Sequence, residues 1–239
     1  MLVLDPKDTQ VKKKLNAYRG RLSAAQVAAG MNAAAKNASR LAKDAAMLLD
    51  AGSFPTAASI AVLSIEEAGK VSILRTLALA RSDVEAAETW KDYRSHTRKN
   101  VAWLLPQLAA AGARKLDDLR PLFDETSDHP FILDQLKQLG FYTDCLGNAH
   151  WAMPSDVFEE SLTRMLVQIA QLFARDRKYT EREVQLWIEH VGPVWKKDLA
   201  WMKQAVVNWY AAMQEAGLAP EGLNEMEQFI HHGLKVDEV

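Results

Sequence analysis

Eleven alanines stand between Ala24 and Ala46, and alanine has the highest intrinsic helix propensity. Leu41, Leu48 and Leu49 continue the apolar face of that helix, and its small side chains let a neighbour approach closely. Gly52-Ser53-Phe54-Pro55 then punctuates, because glycine suits the position after a helix and proline the first turn of the next. A second helix is expected from there to about Arg81. β signals are nearly absent along the chain, so the sequence predicts an all-α fold.

Further helices follow from their caps. Ser82-Asp83-Val84-Glu85 reads as a capping box, opening a third helix that carries Trp90, His96 and Trp103 until Pro106 kinks or ends it. From Gly112 to Pro130 short helices and turns are expected, then a helix over Asp134–Leu139 ending at Gly140. Phe141 to Pro154 reads as irregular, with aromatics that either plug a groove or stack on a ligand. Ser155 should cap a helix through Phe173, Thr180-Glu181-Arg182-Glu183 is a second capping box, and Gly192-Pro193 is a break. A helix over about Val194–Ala216 and a short one to Ile230 complete the reading. The chain divides into an N-terminal helical core, residues 1–112, and a C-terminal helical region, residues 113–239, packed on it or continuous with it.

With 239 residues, 49% of them hydrophobic, the chain can bury a sizeable core. A net charge of −2 from 29 basic and 31 acidic residues supplies no global field for nucleic acid or membrane, and no DNA partner is expected. One cysteine, Cys145, fits a reducing cytosol. The opening residues Met1 to Arg21 are polar and charged, without a leader pattern. The apolar run Ala57–Ala80 is interrupted by Glu66, Glu67, Lys70 and Arg75, which argues against a membrane span. A cytoplasmic protein is expected.

Those interruptions are the first site candidate. Two carboxylates and an ammonium are costly in an apolar helix unless paired or functional. Lys70 lies at i+4 from Glu66 and i+3 from Glu67, so the three can interact. The second candidate is Lys91-Asp92-Tyr93-Arg94-Ser95-His96-Thr97-Arg98-Lys99-Asn100, where His96 and Lys99 share a face and four cations could meet phosphates. Lys91, Arg94 and Arg98 read first as a solvated face, and as phosphate contacts second. No Cys-x-x-Cys, Glu-x-x-His or His-x-x-x-His spacing is present, so no metal or other cofactor is expected. Walker and dinucleotide glycine motifs are absent too. His231-His232 reads as a surface pair.

Taken in order, Asn37-Ala38 and Asp44-Ala45 in the alanine-rich helix, Glu-Glu-x-Gly-Lys at Glu66–Lys70, His-x-x-Lys at His96 and Lys99, Phe141-Tyr142-Thr143-Asp144, and Trp-x-x-Pro at Trp151 and Pro154 resemble the AbiV family of bacterial abortive-infection proteins, of the HEPN superfamily. The resemblance spans about residues 28–156. It implies a HEPN-like helical bundle that dimerises, with additional C-terminal helices, and a role in defence against phage. Many HEPN domains are metal-independent ribonucleases built on an arginine followed by four to six residues and a histidine; no histidine here has an arginine at that spacing.

Two functions are therefore expected as alternatives. In the first, the protein is an endoribonuclease toxin: His96 is the general acid/base, Lys70 and Lys99 stabilise the phosphate, and Glu66 or Glu67 orients a lysine or serves as partner base. Lys91, Arg94, Arg98 and Tyr142 would then bind RNA. In the second, the protein is a non-catalytic homodimer that captures a phage factor or a translation protein. Close packing of the small-residue helix is one ground for expecting self-association.

Overall fold

The computed structural model describes residues 17–124, 126–175 and 177–233; of the stretch Met1 to Arg21 read for a leader, residues 1–16 lie outside them. Helices α1 (Ala24–Asp50) and α2 (Phe54–Ala78) form a helical hairpin that frames the molecule. Ser23 and Gln26 close a capping box at the start of α1. Gly52, at φ +73°, makes the turn that leads Pro55 into the first turn of α2, as the sequence indicated. Ala38, Ala42 and Ala45 of α1 meet Ala57, Ala58 and Ala61 of α2 in the main core. Much of the alanine face is thus buried inside the chain, while Ala25, Ala29 and Ala33 stay exposed on the other side of α1.

Helix α3 (Asp83–Arg94) is capped by Ser82, whose Oγ accepts from the Glu85 N–H. The continuous helix expected up to Pro106 does not form. Ser95 takes extended backbone and caps a single helical turn, α4 (His96–Lys99), by accepting from the Arg98 N–H. A 3-10 turn, Val101–Leu104, follows, and Pro106 sits in the first turn of α5 (Leu105–Ala110) rather than ending a helix. The break at Ser95 re-aims His96 and Lys99 toward Glu66 of α2.

A 3-10 segment, Leu116–Phe123, leads to α6 (His129–Phe141), longer than expected because Pro130 fits its first turn. The segment expected to be irregular is an antiparallel hairpin, β1 (Asp144–Leu146) with β2 (His150–Ala152), turning through Gly147 and Ala149 at positive φ. The helix expected from Ser155 is two: α7 (Pro154–Val157) and α8 (Glu160–Phe173). Extended backbone at Phe158 separates them, and the Phe158 ring is buried in the main core. Thr180 caps α9 (Glu181–Val191) as expected, and a 3-10 turn covers Gly192–Val194. Lys196 at φ +62° precedes the Asp198 cap, so α10 (Leu199–Glu215) starts later than expected. A turn of helix α11 (Glu225–Glu227) and a π-helical turn, Gln228–His232, follow.

The fold is all-α and HEPN-like, apart from the one small hairpin among the described residues. Its main core joins α1 and α2 to Leu133 of α6 and to Leu166, Val167, Ile169 and Ala170 of α8. A second cluster packs Val27, Met31 and Leu74 on Trp90 and Val184, and a third packs α9 on α10 around Trp209 and Met213. Among the described residues no helix is long and apolar enough to cross a membrane.

Asp117 ties the 3-10 segment to α10, both its oxygens accepting from Lys203 Nζ at 2.9 Å. That hydrogen bond holds the Asp117 carboxyl below its ordinary 3.8, and the Arg114 and Lys115 N–H groups do the same for Asp118. Depressed acids stabilise the fold above the unfolded value and lose that contribution as pH falls through the folded one. Lys203→Met is therefore expected to lower the melting temperature at neutral pH and to make little difference once pH is well below 3.8. An equal loss at both pH values would mean that Lys203 acts by packing alone.

Candidate active site

Gly69 is where the site begins. A Cβ on it would lie 2.0 Å from the Lys99 carbonyl oxygen, so only glycine lets the backbone of α4 rest on α2. This contact explains the glycine in Glu-Glu-x-Gly-Lys, and it carries His96 and Lys99 to Glu66. A second close approach seats α6: a Cβ on Gly140 would lie 2.1 Å from Ser59 Oγ. Ser59 also donates to the Lys137 carbonyl at 3.0 Å.

Glu66 is 2% exposed and would be untenable there as a lone anion. Its Oε2 lies 2.7 Å from His96 Nδ1 and 3.5 Å from Lys99 Nζ, and its Oε1 accepts from Lys137 Nζ at 2.6 Å. Lys137, itself buried, donates also to Asp134 Oδ1 at 2.6 Å. Two carboxylates and two ammonium groups thus compensate one another around the histidine.

A carboxylate oxygen and a ring nitrogen this close need a proton between them, so Nδ1–H donates to Glu66 and Nε2 is left as the free edge of the ring. Lys137 Nζ, 3.1 Å from Nδ1, is then a second donor aimed at the same carboxylate. Nε2 makes no hydrogen bond among the described residues, and the His96 side chain is 53% exposed. A buried carboxylate fixing the tautomer of a half-exposed imidazole is the arrangement of a general base. Lys99 is perturbed as well: burial lowers its ammonium from the ordinary 10.5, opposed by the Glu66 charge.

Glu67 and Lys70 stand beside this cluster rather than in it. They pair with each other, and Lys70 Nζ lies 5.0 Å from the centre of the Tyr93 ring. The three-way Glu66–Glu67–Lys70 cluster expected from helical spacing therefore splits, Glu66 turning to α4 and α6. The cationic segment splits too. Arg94 stacks on Trp90 and donates to the Trp90 and Tyr18 carbonyls, which pins α3 to the segment before α1. Lys91 is exposed on α3, and Arg98 is exposed with Asp92 at 3.7 Å. Tyr142 is exposed beyond the C-terminus of α6, and the aromatics Phe141 and Trp151 are exposed with it, so this segment plugs no groove. His231 and His232 are exposed, as expected.

Asp134 and Lys137 were not singled out in the sequence, although they carried the same signal as Glu66: an i, i+3 acid–lysine pair within Phe131-Ile132-Leu133 and Leu136-Lys137-Gln138-Leu139. The absence of metal-ligand spacing in the sequence also missed a constellation. Oxygens of Glu66 and Asp134 and a nitrogen of His96 lie within 4.8 Å of one another, close enough to share a cation. Lys137 Nζ already stands among them, so an ammonium holds the position that a metal would take. Lys137→Ala is expected to open it: Zn²⁺ should raise the melting temperature of the variant and leave the wild type unchanged. Identical responses would show that the ammonium does not block the site.

A family model described as AbiV, of HEPN type, matches residues 26–175, which span α1 to α8 and include every residue of the cluster. No protein of curated function and no solved structure matches the chain. The family name carries an abortive-infection role in phage defence, and with more than half its length matched the chain belongs to the AbiV family of HEPN-type proteins.

Proposed function

We propose that the protein is a metal-independent endoribonuclease that arrests the growth of phage-infected cells, with His96 as its base. One observation carries the reading: the buried Glu66 carboxylate holds His96 Nδ1 at 2.7 Å while the other edge of the ring stays open. His96 Nε2 takes the proton of a ribose 2′-OH as its oxygen bonds to phosphorus, and the bond from phosphorus to the 5′-oxygen breaks. Lys99, made more acidic by burial, protonates the leaving 5′-oxygen. Lys70 adds positive charge beside the site; Lys137 and Asp134 hold Glu66. In this reading the protein acts in the cytoplasm as a homodimer, with RNA as its partner.

A non-catalytic homodimer that captures a phage or translation protein is the second reading. The near-complete burial and mutual pairing of Lys99, Lys137 and Glu66 favour it, since a satisfied network can serve structure alone.

An RNA-integrity assay in EDTA on total bacterial RNA separates them. Wild type is expected to give discrete fragments, and His96→Ala to cleave about 10²–10⁴-fold more slowly while melting like the wild type. Intact RNA from a wild-type protein that still arrests growth would leave the binding reading in its place.

A further inference from the structure

Beside His96 lies a groove that the proposed chemistry does not use. It encloses about 600 Å³ between α4, the end of the 3-10 segment and the first turn of α6. Thr97 and Arg98, the next residues after His96, line it together with Phe123 and Phe131, which are 68% and 54% exposed. Two aromatic rings exposed at one cleft offer an apolar surface that a flat ligand could cover. His129 on its floor is not available to a ligand, since one nitrogen meets Ser127 Oγ at 2.7 Å and the other the Val101 carbonyl at 3.0 Å.

The charges in the groove select among ligands. Arg98 and Asp124 both line it. Asp124 Oδ1 accepts from both the N–H and the hydroxyl of Thr126, and those bonds hold its carboxyl below the ordinary 3.8, so it is an anion. A phosphate in the groove would face that carboxylate. A neutral, flat ring with amino donors on its edge suits both the aromatic walls and the acid.

Position joins the groove to the chemistry. Four residues of helix measure about 6 Å, so α4 sets the groove within a nucleotide's reach of His96. Helix α6 offers Phe131 to the groove in its first turn, and Asp134 and Lys137 to the cluster in the next two. We propose that this groove is a base-stacking subsite for single-stranded RNA, holding the nucleobase next to the scissile phosphate between Phe123 and Phe131. The inference rests on the ribonuclease reading and gives it a substrate class: an unpaired strand whose bases are free to leave the stack.

Binding is measured by fluorescence anisotropy in EDTA with a labelled single-stranded 2′-O-methyl RNA, which offers no nucleophile and stays intact. A ribose–phosphate strand without bases is the comparator. Phe131→Ala is expected to weaken the base-bearing strand about tenfold and to leave the baseless strand unchanged, while Phe131→Trp restores binding. An unchanged affinity for the base-bearing strand, or an equal loss on both strands, overturns the subsite. So does a change from dimer to monomer on sedimentation of Phe131→Ala, which would assign the face to a second copy of the chain. Wild-type protein that neither binds the strand nor cleaves natural RNA sinks the ribonuclease reading as well. Cleavage by wild type with no Phe131 effect sinks the subsite alone.

Discussion

Glu66→Ala is expected to cost about 3–5 kcal/mol of stability, the range seen when one member of a buried charge network is removed. Glu66 is the common acceptor for Lys137, Lys99 and His96. Without it, Lys99 loses the charge that opposes its desolvation, and Lys137 keeps only Asp134. Glu66→Gln separates charge from shape, since the amide fills the same space and retains one acceptor oxygen. It is expected to fall between wild type and alanine in a urea titration, and to lose cleavage as fully as alanine does, because a neutral amide no longer stabilises the imidazolium formed in the reaction. A loss below about 1 kcal/mol for Glu66→Ala, the range of exposed ion pairs, would show that water reaches the cluster and that the network contributes little to the fold.

Gly69→Ala is the second large effect. The added methyl would meet the Lys99 carbonyl oxygen at 2.0 Å and its carbon at 2.9 Å, and a backbone cannot rotate aside as a side chain can. The α2–α4 contact must open, at a cost of about 1–3 kcal/mol or more. The functional loss should exceed what that number suggests, because moving α4 withdraws His96 from Glu66. Nitrogen NMR of the imidazole reads this directly: wild type should show the proton on Nδ1, and the variant should lose that preference. A variant with wild-type stability and an unchanged tautomer would show that the two helices are not in contact at Gly69.

Local chemistry made much of the frame legible. Alanine content, Gly52-x-x-Pro55 and the caps at Ser82 and Thr180 are signals within one turn of the residues they govern, and α1, α2, α3 and α9 follow them. The boundaries that failed are those decided by distant partners. Ser95 ends α3 where the chain must turn to set Lys99 on Gly69. Phe158 splits the helix expected from Ser155, with its ring buried in the main core. The hairpin at Asp144–Ala152 escaped notice because two three-residue strands are too short to show a period of two.

The site divides in the same way. Glu66 drew attention because charge in an apolar run demands a partner, and sequence spacing suggested Lys70 as that partner; His96 and Lys99 stood out as neighbours on one face of a polar segment. Only the packing of α6 on α2 supplied Lys137 and Asp134, from about seventy residues farther along the chain. By itself the sequence determined an all-α chain of the AbiV family and the charged residues that such a core cannot leave unpaired. The tertiary structure alone decided how they pair, since desolvation requires a counter-charge without naming it, and the close approaches at Gly69 and Gly140 choose which charges meet.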